Sequence, residues 1–405
     1  MIFIMSYKLA NEKKSFYWKK RSVMRFNEKY NRSEMICSDM CEVFKRQTKL
    51  PDGYSWEYVD VTNQDEMIPI VKFININNNN ELETQFEHNL SLETIKWQMG
   101  GGGVFILARD NITELICGLI GCSVKKIQIW EDVIDATQPY FLCVDPMYRG
   151  RGLAKLLMDE VIFWSIKSNM NVGIFCTNKI VPSPVVQFRH YCRPLDYKYL
   201  HDNEFLLIDD IDKDFAHNRT KIRLKPDKNY VCAKLNKEHV SIVHSLYNKQ
   251  METYNIHQVM ERNEIEHYFF NDDFVTTLIV YSDDEPVDFV TYYSYNVTNK
   301  KNGNIIKCAN ILMYSSLKVN EDVIIINALK NISFDGHHVV YVTDMMGNSD
   351  VLLAPQKMGN EDTDDEERDL AFDLNFLKTK RKTMLNLFNW KCQLLTQSMV
   401  SWLIF

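Results

Sequence analysis

Apolar and polar positions along this chain change period several times, and the changes mark out its elements. Val104–Ala108 is a short apolar run and residues 114–124 carry another, so both read as strands. A third strand runs from Tyr140 to Val144 and stops at Asp145-Pro146, where proline removes a ladder donor. The period then lengthens. Leu153, Leu156, Leu157, Val161 and Trp164 recur at helical spacing and predict a helix over 152–166. Residues 171–176 return to a strand. The same order comes back further along: 274–281, 286–295 and 307–314 are strand-like, 322–331 suits a helix, and 338–343 is again β-rich. This predicts an α/β chain of two similar halves joined near Lys225-Pro226, although the halves share an order of elements and not residue identities.

Outside the two halves the pattern is weaker. The first 50 residues are polar and mixed in charge, with an aromatic knot at Phe16-Tyr17-Trp18, and read as an arm that docks on a body. Asn75 to Asn80 reads as a loop, and the acidic run Glu361 to Asp369, followed by the basic 378–382, reads as a solvated surface loop. The 405 residues suffice for two ordinary domains, and 45% hydrophobic against 25% charged is a globular balance. A net charge of −7 argues against nucleic acid, whose phosphates call for a basic surface, and favours a basic peptide or a small charged ligand. No apolar run approaches the roughly 18 residues of a membrane span, and Ile2 to Met5 is too short for a secretory core, so a cytoplasmic location is expected. The ten cysteines are scattered. Neither Cys37 with Cys41 nor Cys117 with Cys122 has a second pair at zinc spacing, so reduced thiols and no metal are expected.

The chemistry concentrates in Tyr140-Phe-Leu-Cys-Val-Asp-Pro-Met-Tyr-Arg-Gly-Arg-Gly-Leu-Ala154. Here a buried strand ends and Arg149-Gly150-Arg151-Gly152 turns into a helix. Glycines at such a turn let the backbone wrap an anion, and the free N–H groups at the helix start favour a pyrophosphate. Arg149 and Arg151 add charge-assisted donors. After a strand and before an amphipathic helix, this segment resembles the acyl-CoA loop of the GNAT acyltransferase superfamily. The second half has Tyr314-Ser-Ser-Leu-Lys-Val-Asn at the matching point, without glycine or arginine, so coenzyme A is expected in the first half alone.

A longer set of blocks narrows the resemblance. Phe141-Leu-Cys-Val with Arg149 and Leu153-Ala154, Val181-Pro-Ser-Pro-Val185 with Arg189 and Arg193-Pro-Leu-Asp-Tyr-Lys-Tyr-Leu200, Glu264 to Phe269, Val287 to Tyr293, Asp344 to Asn348 and Asn389-Trp-Lys-Cys392 occur in order. Together they resemble the glycylpeptide N-myristoyltransferases. That resemblance implies two GNAT-like halves packed into one pseudo-symmetric body, divided as an arm (1–50), an acyl-CoA half (51–224) and a peptide half (225–405). It implies myristoyl-CoA as co-substrate, held by Phe16, Tyr17, Trp18, Phe141, Leu142, Cys143, Val144, Arg149, Gly150, Arg151, Gly152, Leu153 and Ala154. The thioester carbonyl would sit on the backbone N–H groups of Phe141 and Leu142. The acceptor would be the N-terminal glycine of a protein, its amine deprotonated by the Phe405 carboxylate, with Thr177, Tyr293 and Tyr314 as candidate peptide contacts. Taken alone, the apolar end Trp402 to Phe405 reads equally as a strand completing a sheet, and Tyr293 and Tyr314 as half-buried strand aromatics. The acidic run 361–369 could meet a basic residue of the acceptor.

The chain also departs from the family pattern. Tyr140 stands where the family has Asn, Cys192 where it has His, and the acceptor-site Thr falls on Cys176 or, with a one-residue shift, on Thr177. Two other readings therefore stay open: a GNAT enzyme that acetylates an amine, and a non-catalytic relative that binds acyl-CoA or acylated peptide.

Overall fold

The structure is a computed structural model and describes residues 16–26, 28–38, 44, 46–78, 85–178, 180, 182–206, 230–235, 237–271, 273–349, 351–352 and 374–405. Cys41, Val181, the expected junction at Lys225-Pro226 and the acidic run 361–369 lie outside the described residues, as does the side chain of Phe16. Two compact units interleave along the sequence. One comprises Met1–Glu83, Leu90–Gln187 and Thr383–Thr396; the other comprises Thr84–Asn89, Phe188–Lys382 and Gln397–Phe405. A single cut after residue 224 does not describe these units, because residues 384–388 hydrogen-bond within the first and residues 86–87 within the second.

The first unit contains α1 (Phe16–Lys19), β1 (Tyr54–Asp60), α2 (Gln64–Asn78), α3 (Leu92–Gln98), β2 (Val104–Asp110), β3 (Ile116–Ile129), β4 (Asp132–Val144), α4 (Leu153–Lys167) and β5 (Val172–Thr177). The strands β1 to β4 pair antiparallel in that order. Trp130, with φ 57°, makes the tight turn between β3 and β4. β4 is longer than its apolar run because Asp132 to Gln138 mixes polar residues into the alternation. Period-2 alternation sends each strand's side chains to two cores. From β2, Phe105 and Leu107 pack with Met67, Ile70 and Ile74 of α2, whereas Val104, Ile106 and Ala108 join the cluster of Leu153, Leu157 and Val161 of α4. Gly118 lets α4 come close, since a Cβ there would stand 3.1 Å from both Leu153 and Leu157.

The second unit holds β6 (Val186–Pro194, paired through His190–Pro194), α5 (Tyr197–Asp202), β7 (Val231–Lys234), α6 (Val240–Met251), β8 (Ile256–Gln258), α7 (Arg262–Phe269), β9 (Val275–Ser282), β10 (Glu285–Asn299), β11 (Ile305–Tyr314), α8 (Glu321–Phe334), β12 (Val339–Thr343), β13 (Leu377–Phe388, through Lys382) and β14 (Val400–Ser401). β9, β10 and β11 pair antiparallel, and β11 runs parallel to β12 with Cys308 opposite Val339. β8 and β14 pair in parallel, with Ile256 opposite Val400. The order β2-β3-β4-α4-β5 thus recurs as β9-β10-β11-α8-β12, the repeat of one α/β order expected from the hydrophobic pattern. No helix among the described residues is long and apolar enough to cross a membrane.

Candidate functional site

In the first unit β4 and β5 are parallel neighbours at Ala136–Val172 and Thr137–Gly173. Past Thr137 their registers part, and a cavity of about 230 Å³ opens between them. Tyr140, Phe141 and Leu142 of β4, Phe175, Cys176 and Thr177 of β5, and Met158, Ile162 and Ile166 of α4 wall it. Because β5 takes its other partner from Met384–Phe388 of β13, Phe388 also reaches the lining. The walls are mostly apolar carbon. Ser165 is polar, but its hydroxyl donates to the Val161 carbonyl at 2.7 Å within the helix.

At one side of this cavity β4 is broken. Tyr140 lies opposite Gly121 and Cys143 opposite Leu119, so Ile120 alone faces both Phe141 and Leu142. This is a β-bulge, which removes the two residues from the ladder and re-aims them. Phe141 takes φ 51°, a left-handed conformation that L residues with bulky side chains rarely adopt. Such strain persists where the surrounding structure enforces it, commonly at functional sites. Phe141 and Leu142, the two expected oxyanion donors, therefore share a distorted, unpaired stretch of backbone on the cavity wall.

Beyond Val144 the chain turns sharply into α4. The Asp145 carboxylate accepts from the Met147 amide at 2.8 Å, and Arg149 Nε donates to the Val144 carbonyl at 2.9 Å. Gly150 and Gly152 take φ of 78° and 85°, and α4 begins without a side-chain cap. Its first amides and the positive end of its dipole thus face outward beside exposed Arg149 and Arg151, an arrangement that suits an anion. Arg151 lies over the Tyr148 ring, 5.7 Å from its centroid. The remaining residues of the expected set are placed differently. Cys143 and Leu153 are buried in the two cores and Val144, partly buried, packs against the cluster of Leu153, so a ligand can meet Cys143 through its main chain alone. Burial pushes the Cys143 thiol up to about 11. Ala154 lies in the first turn of α4, and Tyr17 and Trp18 line the cavity.

The turn before the matching helix of the second unit has a different tenant. The amides of Leu317, Lys318 and Val319 donate to the Asp288 carboxylate at 2.7, 2.9 and 2.8 Å, and Ser315 Oγ donates at 2.8 Å. Asp288 has no exposed surface. Where the first unit offers free amides to an anion, the second has filled the same place with its own side chain. Of the peptide candidates, Thr177 lines the cavity and accepts from Asn386 Nδ2 at 3.1 Å. Tyr293 is 7% exposed, receives Asn310 Nδ2 at 3.3 Å and meets the Phe405 ring edge-on at 6.3 Å. Tyr314 is not half-buried but wholly buried, and its hydroxyl donates to Asn348 Oδ1 at 2.5 Å. Phe405 also stacks on Tyr268 at 6.2 Å, following the buried Trp402, Leu403 and Ile404.

Sequence reading missed the cavity face of α4. Met158, Ile162 and Ile166 recur at i, i+4 and i+8, a stripe adjacent to the core stripe of Leu153, Leu157 and Val161. A helix with two apolar stripes is the signal that was present.

The family model described as "Myristoyl-CoA:protein N-myristoyltransferase, N-terminal domain" matches residues 36–188, and its C-terminal counterpart matches residues 213–401. A glycylpeptide N-tetradecanoyltransferase of Plasmodium falciparum is 22% identical over 388 residues, covering 93% of this chain and 90% of the relative. One from Candida glabrata is 23% identical over 319 residues, covering 73% and 69%. The crystal structure of Saccharomyces cerevisiae N-myristoyltransferase with bound myristoyl-CoA superposes with a TM-score of 0.81 at 18% identity, covering 96% of this chain and 99% of the other. Two domain models of one family, met in order along most of the sequence, establish that this chain belongs to the myristoyl-CoA:protein N-myristoyltransferase family.

Proposed function

We propose that this chain transfers a myristoyl group from myristoyl-CoA to the N-terminal glycine amine of acceptor proteins in the cytoplasm. The observation that carries this is the apolar cavity that opens between β4 and β5 with the Phe141–Leu142 bulge in its wall, on the strand that runs on into the glycine-rich turn. Acyl chain, thioester and pyrophosphate then lie along one path in the first unit. Burying a fourteen-carbon chain contributes roughly 10 kcal/mol at about 0.8 kcal/mol per methylene. The amides of Phe141 and Leu142 would donate hydrogen bonds to the thioester oxygen as it gains negative charge, a type of donor whose loss typically costs roughly 3–4 kcal/mol of barrier.

The glycine amine attacks the thioester carbonyl, forming the C–N bond as the C–S bond breaks. The glycine ammonium first gives one proton to a base, and the second, lost as the amide forms, neutralises the departing coenzyme A thiolate. The free amine has a pKa near 8, so deprotonation at pH 7 costs about 1.4 kcal/mol and a weak base suffices. We assign that role to the carboxylate at Phe405 and assign peptide recognition to the second unit, as the family resemblance implies. The apolar run before Phe405 is held by pairing of β14 with β8 and by Asn310 Nδ2 at 3.5 Å from the Ile404 carbonyl.

The test is direct. Purified protein is incubated with myristoyl-CoA or acetyl-CoA and a panel of glycine-initiated peptides, and products are weighed by mass spectrometry. Myristoyl transfer to glycine but not to alanine peptides is expected. Preference for acetyl-CoA would favour the acetyltransferase reading, and tight acyl-CoA binding without turnover the non-catalytic one.

A further inference from the structure

Tyr17 and Trp18 are part of the cavity wall, yet they belong to a four-residue helix that has no stability of its own. Something outside the helix must hold them there. Downstream, the segment is pinned by main-chain bonds: the Asn389 amide donates to the Ser22 carbonyl at 2.6 Å, and Val23 bridges to Phe388. Upstream, the ties converge on a single carboxylate on α4. Tyr17 Oη donates to Asp159 Oδ1 at 2.7 Å. Arg21 straddles the same carboxylate, with Nη2 at 2.6 Å from Oδ1 and 2.7 Å from Oδ2, and Nε at 3.1 Å from Oδ1. The Arg21 guanidinium also lies 4.3 Å from the centroid of the Tyr17 ring. Arg25 braces the turn by donating to the carbonyls of Trp18, Lys19 and Arg21. So held, the Trp18 ring stacks on Phe175 of β5 at 5.4 Å and 7°. Burial and the Asp159 carboxylate both push the Tyr17 phenol far above its usual range, so it stays a donor to Asp159 at every working pH.

We infer that Asp159 is a positioning residue for the acyl-CoA substrate: it locks Tyr17 and Trp18 onto the cavity, completing a wall that α4, β4 and β5 leave unfinished. This rests on the proposed acyl-CoA reading of the first unit. Asp159 carries a polar function on the surface that faces the arm, one residue after Met158 of the cavity stripe, and its side chain is 20% exposed against 15% for Arg21. A bidentate arginine–carboxylate pair shielded to that degree is among the stronger polar ties. Its effect on substrate is indirect and runs through Trp18.

The experiment is a double-mutant cycle on the full chain, with Asp159→Ala, Trp18→Ala and both together, read as affinity for myristoyl-CoA by calorimetry and as kcat and KM with a glycine peptide. Expected is a loss of about tenfold or more in myristoyl-CoA affinity for each single variant, since Asp159→Ala removes a tie to a charged group and Trp18→Ala removes the wall itself. In Asp159→Ala the loss should fall on affinity and KM for myristoyl-CoA, with KM for peptide as in the parent. The double variant should be no weaker than the worse single one, because both changes undo the same wall. Arg21→Ala, which leaves α4 intact, should mimic Asp159→Ala and keeps the test open if the latter folds poorly. Additive losses in the cycle, or unchanged affinity in both Asp159→Ala and Arg21→Ala, would overturn the assignment. Failure of the parent protein to bind myristoyl-CoA at all would instead strike the functional reading beneath it.

Discussion

Replacing Gly150 and Gly152 together by glutamate separates the conformational role of these residues from their electrostatic one. Both have positive φ, 78° and 85°, and an L residue in that region costs roughly 1–2 kcal/mol. A Cβ added at either position meets nothing within 4 Å, so no steric term is added. The pair should therefore lose about 2–4 kcal/mol of a stability typically near 5–15 kcal/mol, and remain folded. Alanine at both positions imposes the same backbone cost without charge and is the proper reference. Two unit charges 4 Å apart repel by about 1 kcal/mol in water and about 4 kcal/mol near a protein surface. Two carboxylates set against a pyrophosphate at the start of α4 should thus cost at least about 3 kcal/mol, a loss of more than roughly a hundredfold relative to the alanine pair. Calorimetric titration with myristoyl-CoA measures it, with thermal melts of all three proteins alongside. The gap should narrow as salt rises, since exposed charges are screened over about 10 Å at 0.1 M. If the glutamate pair binds as well as the alanine pair, the pyrophosphate does not lie on this turn.

Two further outcomes follow from the second unit. Adding one residue after Phe405 moves the carboxylate by about 3.3–3.6 Å, beyond the roughly 2.6–3.2 Å reach of direct proton transfer, so turnover should collapse while myristoyl-CoA affinity holds; an extended protein working at the parent rate would remove Phe405 as the base. Asp288→Asn replaces a buried acceptor facing four donors by a group that is half donor, which should lower stability to urea by about 3–5 kcal/mol and leave myristoyl-CoA affinity intact; a neutral result would mean the amides of Leu317 to Val319 find other partners.

How legible each part was in the sequence follows from the range of the interactions that fix it. The strands and helices around the site announce themselves locally. Val104 to Ala108 is an apolar run, α4 has its helical spacing, and the glycines of the turn have φ values that glycine alone adopts freely. The bulge at Phe141 is another matter. Nothing in Tyr140-Phe-Leu-Cys predicts a break, because it arises from register against Gly121 and Leu119 on the neighbouring strand. Only the family resemblance pointed there. Asp159 was silent for the same reason: an acidic residue on a helix reads as solvated until Tyr17 and Arg21, more than 130 positions upstream, are seen closing on it.

The two units also show how one topology can be kept while its use is divided. Absence of glycine and arginine from Tyr314 to Asn320 argued that the second unit would not hold coenzyme A, an argument from what was missing. The structure supplies a positive reason. A turn into a helix exposes amides that must find an acceptor, and in a buried setting each unsatisfied one costs about 1–3 kcal/mol. The first unit leaves that demand to be met from outside, beside two exposed arginines. The second meets it from within, through Asp288 on β10, and with the demand satisfied the turn no longer needs glycine to admit a ligand's oxygens. On the proposed reading the same backbone feature serves as a binding site in one unit, whereas in the other it is a structural tie to the Asp288 carboxylate.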